Sequence, residues 1–245
     1  MAAATLLSCN DKNVLSALFD SEGIPSKITS SITEELPALP GILPSTLREL
    51  QDRETKAIKS LNAESPARQQ IEDTIQELSA IIQSIPEYSS AWNNRAQAIR
   101  MIVGDDLTAP VAASSTIYLD LCQAIQLAAV TSNSSPRSSV SPLQRRILAS
   151  AFTHRAHLLY KASKSIAQDP SKRISLQAEL QGVDSDMLEK MATSDFRQGG
   201  NYGNEIAKQM AVKLNPYAKL CGEIVREAMI NDMKESGVMP SHISL

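Results

Sequence analysis

The stretch Tyr88-Ser89-Ser90-Ala91-Trp92-Asn93-Asn94-Arg95-Ala96-Gln97-Ala98-Ile99 decides the fold. A bulky aromatic, Trp92, is followed four positions on by a small residue, Ala96, and three beyond that by an apolar one, Ile99. On a helix these positions share one face. The large residue of one helix can then sit over the small residue of its neighbour, and the two axes approach closely. Gly104-Asp105 falls where such a helix must turn. Phe152, Arg155, Ala156 and Leu159 reproduce Trp92, Arg95, Ala96 and Ile99 sixty positions later. A helical unit is therefore repeated.

Outward from this core, the same periodicity recurs. Thr46 and Glu49 form a capping-box pattern that predicts a helix start, with Leu47, Leu50, Ala57, Ile58 and Leu61 as its apolar stripe. Ser65-Pro66 predicts the next start. Ile71, Ile75, Leu78, Ile82 and Ile85 follow at helical spacing until Pro86. A third helix is expected from Ala91 to Met101 and a fourth from Ile117 to Ala128. Ser141, Pro142 and Gln144 read as N-cap, first-turn proline and capping-box partner of a fifth. Residues 163–186 are polar and read as an insertion, as does the Ser-rich run 131–140. Met187 to Arg197 reads as helix, with Gly199-Gly200 as its break. Asn215-Pro216 opens a terminal helix carrying Tyr217, Leu220, Ile224, Ala228 and Met229. No segment alternates with period two between hairpin turns, so the fold class is all-α.

Composition excludes several functions. The chain has 245 residues and a formal net charge of −3, too acidic for a dedicated nucleic-acid binder. Only 4% of residues are aromatic, which suits alanine- and leucine-packed helices. Three cysteines, Cys9, Cys122 and Cys221, offer no paired framework or zinc motif, and a reducing compartment is expected. No run is long and apolar enough to span a bilayer, and Met1 to Cys9 lacks a basic leader region. A cytoplasmic setting, with nuclear access, and no membrane partner are expected. No Gly-rich phosphate loop, nucleophile elbow or zinc-protease motif is present, so no cofactor is expected.

The Trp92 segment resembles the first helix of a tetratricopeptide repeat, a helix-turn-helix unit of 34 residues. One such step back from Trp92, Ala96 and Ile99 lands on Ile58, Asn62 and Ser65, which keeps the apolar anchor and loses the small residue. The resemblance extends to Asp11 to Phe19, to Asn93-Asn94-Arg95-Ala96-Gln97-Ala98, and to Leu214-Asn215-Pro216-Tyr217-Ala218-Lys219-Leu220-Cys221. On these segments the chain resembles the tetratricopeptide repeat protein 36 family. The resemblance implies an α-solenoid of three helix-turn-helix repeats with loop insertions. Repeat 1 would take about 47–88, repeat 2 about 89–130, repeat 3 about 142–200, and capping helices 204–235. Residues 1–46 would form a short helix and a loosely ordered lead-in, and 236–245 a disordered tail.

Such arrays generally bind peptides along the concave face made by their first helices. The resemblance therefore implies a non-enzymatic adaptor whose partner is a protein or peptide, an Hsp70-type chaperone or a tyrosine-catabolic enzyme. The groove residues it implies are Lys56 and Lys59, then Asn93, Asn94, Gln97 and Arg100, then Thr153, His154 and His157. Chaperone-tail binders of this fold clamp two carboxylates. Lys59 and Asn94 match that clamp, while Ala63, Ser150 and His154 depart from it. Trp92 is expected in the core and Arg95 as a brace between helices. Two other readings follow from the residues. His154 and His157, three positions apart, could ligate a metal in an enzyme if the fold supplied a carboxylate. Alternatively, the outer helices or Asp11 to Phe19 could dock the chain as a structural subunit.

Overall fold

The computed structural model describes residues 38–130 and 140–235; in the last helix the side chains of 216–223 and 234–235 lie outside that description. The expected helix at Asp11 to Phe19, the lead-in before residue 38, most of the Ser-rich run and the tail 236–245 also lie outside it.

The described elements are helices: α1 Pro44–Lys59, α2 Arg68–Ser84, α3 Ser89–Val103, α4 Pro110–Ala113, α5 Ile117–Ala128, α6 Pro142–Gln168, α7 Ser185–Asn201, α8 Glu205–Leu214 and α9 Pro216–Glu235. They pair in chain order, α1 with α2, α3 with α5, α6 with α7 and α8 with α9. Each pair lies on the next, through α2 on α3, α5 on α6 and α7 on α8. The result is an all-α helical-repeat solenoid, with the short α4 in the connection between α3 and α5.

Alanines set the spacing between helices. Ala91, Ala96, Ala124, Ala151, Ala156, Ala162, Ala192 and Ala207 are fully buried, among Leu78, Ile81, Leu121, Leu148, Leu158 and Leu188. Trp92 and Phe152 are half-buried against this core. The Trp92 indole N–H donates to the Pro86 carbonyl at 2.8 Å, which fixes the entry to α3. A smaller cluster of Ala156, Phe196, Ala207 and Leu214 seats α8.

Four local expectations need correction. First, the Thr46/Glu49 box does not cap α1. That helix starts at Pro44, after an extended Leu43 and without a side-chain cap. Proline has no N–H to satisfy and its φ suits a first turn, so the helix begins there. Second, α1 ends at Lys59, so Asn62 sits in a 3₁₀ turn and Ser65 in the loop. The 34-residue step from Trp92 therefore overshoots the first helix, whose buried residues are Leu47, Leu50 and Glu54. Third, α6 continues to Gln168 and buries Ser163 and Ile166, so the polar stretch from 163 is only partly an insertion. Fourth, α7 runs straight through Gly199 and Gly200. A Cβ on Gly199 would stand 2.6 Å from Thr153 Oγ1 and 3.1 Å from Ala207 Cβ, and one on Gly200 would stand 3.0 Å from Lys208 Cα. These glycines admit neighbouring helices and do not end their own. The turn falls at Gly203, whose φ of +98° favours glycine.

The fifth start forms as expected. Gln144 N–H donates to Ser141 Oγ at 3.1 Å, and Ser141 N–H donates to Gln144 Oε1 at 2.9 Å. Gln144 Nε2 also reaches the carbonyls of Ala128 and Val130, at 3.0 and 2.9 Å, and so ties the end of α5 to the start of α6. In α9, by contrast, Ile224 and Met229 are exposed, so part of the expected apolar stripe faces solvent.

Candidate functional site

Two equivalent braces fix α3 and α6. Arg95 of α3 donates to both oxygens of Asp120 on α5, at 2.8 and 2.7 Å. Arg155 of α6 does the same to Asp195 on α7, at 2.7 and 2.8 Å. Each guanidinium also lies over the aromatic ring one turn earlier, 4.9 Å from Trp92 and 5.6 Å from Phe152. The expected bracing role of Arg95 is therefore realised, and it is repeated in the next unit. Phe152 is stacked in turn on Tyr202 with ring centroids 6.0 Å apart.

With the braces in place, the opposite faces of α3 and α6 line a cavity of about 1000 Å³. Gln97 and Arg100 come from α3. Arg145, Arg146, Ser150, Thr153, His154 and His157 come from α6 at helical spacing. The far wall is Phe196, the Tyr202–Asn204 turn, and Ile206 and Met210 of α8. No Asp or Glu stands among the lining residues, while three arginines and two histidines do. Asp105, paired with Arg100 and 3.6 Å from His157, offsets part of that charge, so the net positive charge of the lining rests on Arg145 and Arg146.

Neighbouring contacts hold the cations. Arg145 Nε donates to the Tyr202 carbonyl at 2.8 Å, and that turn can pass so close because residue 203 is glycine. Arg100 is paired with Asp105, which also lies 3.6 Å from His157 Nε2 and 3.7 Å from Lys161 Nζ. The Arg100 hydrogen bond holds the Asp105 carboxyl below its usual range. Arg146 is exposed and acts on Glu54 through its charge. His154 is only 7% exposed, and neither ring nitrogen has a hydrogen-bond partner. Burial, reinforced by the nearby Arg100, pushes its pKa down to about 4, so the ring is neutral at physiological pH.

A second polar cluster joins α1 to α3. Glu54 is 7% exposed. It accepts from Tyr88 Oη at 2.6 Å, Ser90 Oγ at 3.0 Å and Asn94 Nδ2 at 2.8 Å. Burial raises its carboxyl pKa, and the three donors oppose that shift. Asn94 Oδ1 accepts in turn from Asn93 Nδ2 at 3.2 Å, while the buried Asn93 Oδ1 has no partner.

Of the residues expected in the groove, the fold brings Gln97, Arg100, Thr153, His154 and His157 together around the cavity. Asn93 and Asn94 lie in the Glu54 cluster, and Lys56 and Lys59 are exposed in the last turn of α1; none of these four lines the cavity. Sequence reasoning missed Arg145, Arg146 and Glu54. The i, i+4 relation of Arg146 to Ser150, continued by His154 and His157, was the available signal. Glu54 had none, because its partners lie more than thirty positions away. Asp105 is the carboxylate that the fold brings to the histidine pair. Among the described residues, however, no group of three His, Cys, Asp or Glu is placed to hold a metal ion.

No protein-family model matches the chain, and no solved structure matches it. Curated relatives do. The chain is 38% identical over 93% of its length to the L-tyrosine degradation gene cluster protein hmgX of Aspergillus fumigatus, covering 94% of that protein. It is 30% identical over 75% of its length to tetratricopeptide repeat protein 36 of Xenopus tropicalis, covering 65% of it. Against the Mus musculus protein of that name the identity is 26%, over 90% of this chain and 92% of the relative.

Proposed function

The chain belongs to the tetratricopeptide repeat protein 36 family, and from that premise we propose that it is a non-enzymatic adaptor that holds a segment of a partner protein in the groove between α3, α6 and α8. The observation that carries this reading is the cavity itself. It is large enough for several side chains, lies on the faces of the first helices, and is lined by cations with no carboxylate. The "L-tyrosine degradation gene cluster" wording of one relative supports a partner among the enzymes of tyrosine catabolism. An Hsp70-type chaperone is the second reading, favoured by the basic lining, which suits an acidic tail. No described helix is long and apolar enough to cross a membrane. From the unpaired cysteine set of the sequence we place the adaptor in a reducing compartment, the cytoplasm with nuclear access.

Affinity capture from the source cells tests the proposal, with tyrosine-catabolic enzymes and chaperones quantified by mass spectrometry. Gln97→Glu, at an exposed position of the lining, should lower retention of the partner by placing a negative charge against the bound segment. Deleting residues 1–20 should leave retention intact. The opposite pattern would favour a structural subunit docked through its N-terminal segment.

A further inference from the structure

The described residues begin at Ala38, and the place where they begin is fixed. The Ala38 carbonyl accepts from Ser141 Oγ at 2.6 Å, and the next apolar residues, Leu39 and Ile42, are buried in the core. Ser141 is the N-cap of α6. Pro142, Arg145 and Arg146, the residues just after it, line the cavity. The Tyr202–Gly203 turn meets the same end of α6, since Arg145 Nε donates to the Tyr202 carbonyl at 2.8 Å. The chain preceding Ala38 therefore joins the described fold at the mouth of the groove.

Charge at that mouth is unevenly used. Arg100 is held by Asp105 and Arg145 by the Tyr202 carbonyl. Arg146, the third arginine of the lining, is exposed and makes no hydrogen bond or ion pair among the described residues. Glu54 feels its charge, but the oxygens of that buried carboxylate accept from Tyr88, Ser90 and Asn94. The sequence next to Ala38 is Ile32-Thr33-Glu34-Glu35-Leu36-Pro37, with two adjacent carboxylates and no cation. Distance permits the meeting. Arg146 lies five residues past Ser141, about 7–8 Å along the helix axis. Leu36 precedes a proline, which favours extended backbone. Glu35 and Glu34 stand three and four residues before Ala38, and an extended chain covers that separation in about 10–13 Å.

We propose that the groove's first occupant is the chain's own segment Ile32–Pro37, which lies along the first two turns of α6 with Glu34 and Glu35 on Arg146, so that a partner must displace it. The proposal rests on the adaptor reading for what the groove serves. An exposed ion pair is weak by itself. A tether of a few residues, however, holds the segment at an effective concentration of order millimolar, enough for a weak contact to fill the groove for much of the time.

The test uses the full-length purified chain with a benzophenone amino acid at Thr33, far enough from Ala38 that the tether alone does not dictate its neighbour. After irradiation, cross-links are mapped by mass spectrometry. An equal mixture of unlabelled and nitrogen-15-labelled chain separates links within one molecule from links between copies. Links within one molecule should fall on residues 142–157 and 202–210. Glu34→Lys with Glu35→Lys should lower their yield about threefold or more, and so should Arg146→Glu at its exposed position. All three substitutions together should restore it, which a loss of folding would not. Links scattered over other helices, links between copies only, a yield unmoved by charge reversal, or no recovery in the triple variant would each overturn the inference. In affinity capture, the Glu34→Lys, Glu35→Lys chain should retain more of any partner whose retention Gln97→Glu lowers. If the cross-links fail while such a partner is still captured, the inference falls and the adaptor reading stands. If the cross-links form and respond to charge while no captured protein responds to Gln97→Glu, the adaptor reading falls and the contact within the chain stands.

Discussion

Arg155 and Asp195 form a nearly buried ion pair, and so do Arg95 and Asp120, the latter aspartate being only 1% exposed. Removing one member of such a pair strands the other charge, at a typical cost of about 3–5 kcal/mol. Asp195→Ala should therefore lower the unfolding free energy by about 3 kcal/mol in urea titrations, and Arg155→Met combined with Asp195→Leu should cost less. Asn94→Ala belongs to the same class, since it leaves Glu54 Oε1 short of a donor. It should reduce stability by about 1–3 kcal/mol whether or not a partner is present. His154 gives a pH signature. Its folded pKa is about 4 against a usual 6.5, so between those values the unfolded chain binds the extra proton. Stability must fall as pH drops from about 6.5 towards 4, by up to about 1.4 kcal/mol per unit. His154→Leu should flatten that slope, and thermal melts at pH 7 and pH 5 measure it. An unchanged slope would mean that the imidazole is not held neutral by burial.

Helix starts written in adjacent residues were legible in sequence, because their signals are local. Ser141, Pro142 and Gln144 lie together and form the box they predict. Ile117 to Ala128 has the bounds its periodicity predicts. Signals that depend on a neighbour were misread. Gly199-Gly200 looks like punctuation along the chain, yet its cause is the side of α6 and the start of α8, which no local window contains. Helix propensity alone would make Gly199→Ala stabilising by about 1 kcal/mol. The 2.6 Å approach of Thr153 Oγ1 predicts the reverse, a loss of at least about 1 kcal/mol. Adding Thr153→Ala should recover part of it. Guanidinium unfolding of the single and double variants decides between the two effects.

At the scale of the molecule, the repeat was legible because Trp92 and Phe152 keep the same spacing to arginine, alanine and an apolar residue. The aspartates that complete the braces were not, because Asp120 and Asp195 stand at unequal distances along the chain. The cavity was half legible. Its α3 and α6 faces follow from helical spacing, while the wall from Tyr202 to Met210 depends on how α8 folds back. The most direct measurement of the central claim is photo-crosslinking in the source cells, with a benzophenone amino acid at Ser150 inside the groove or at the exposed Gln76 on α2. The account predicts a discrete partner adduct from Ser150 and none of that mass from Gln76. An adduct from Gln76 alone would contradict it, since the partner would then sit on the outer helices and leave the groove empty.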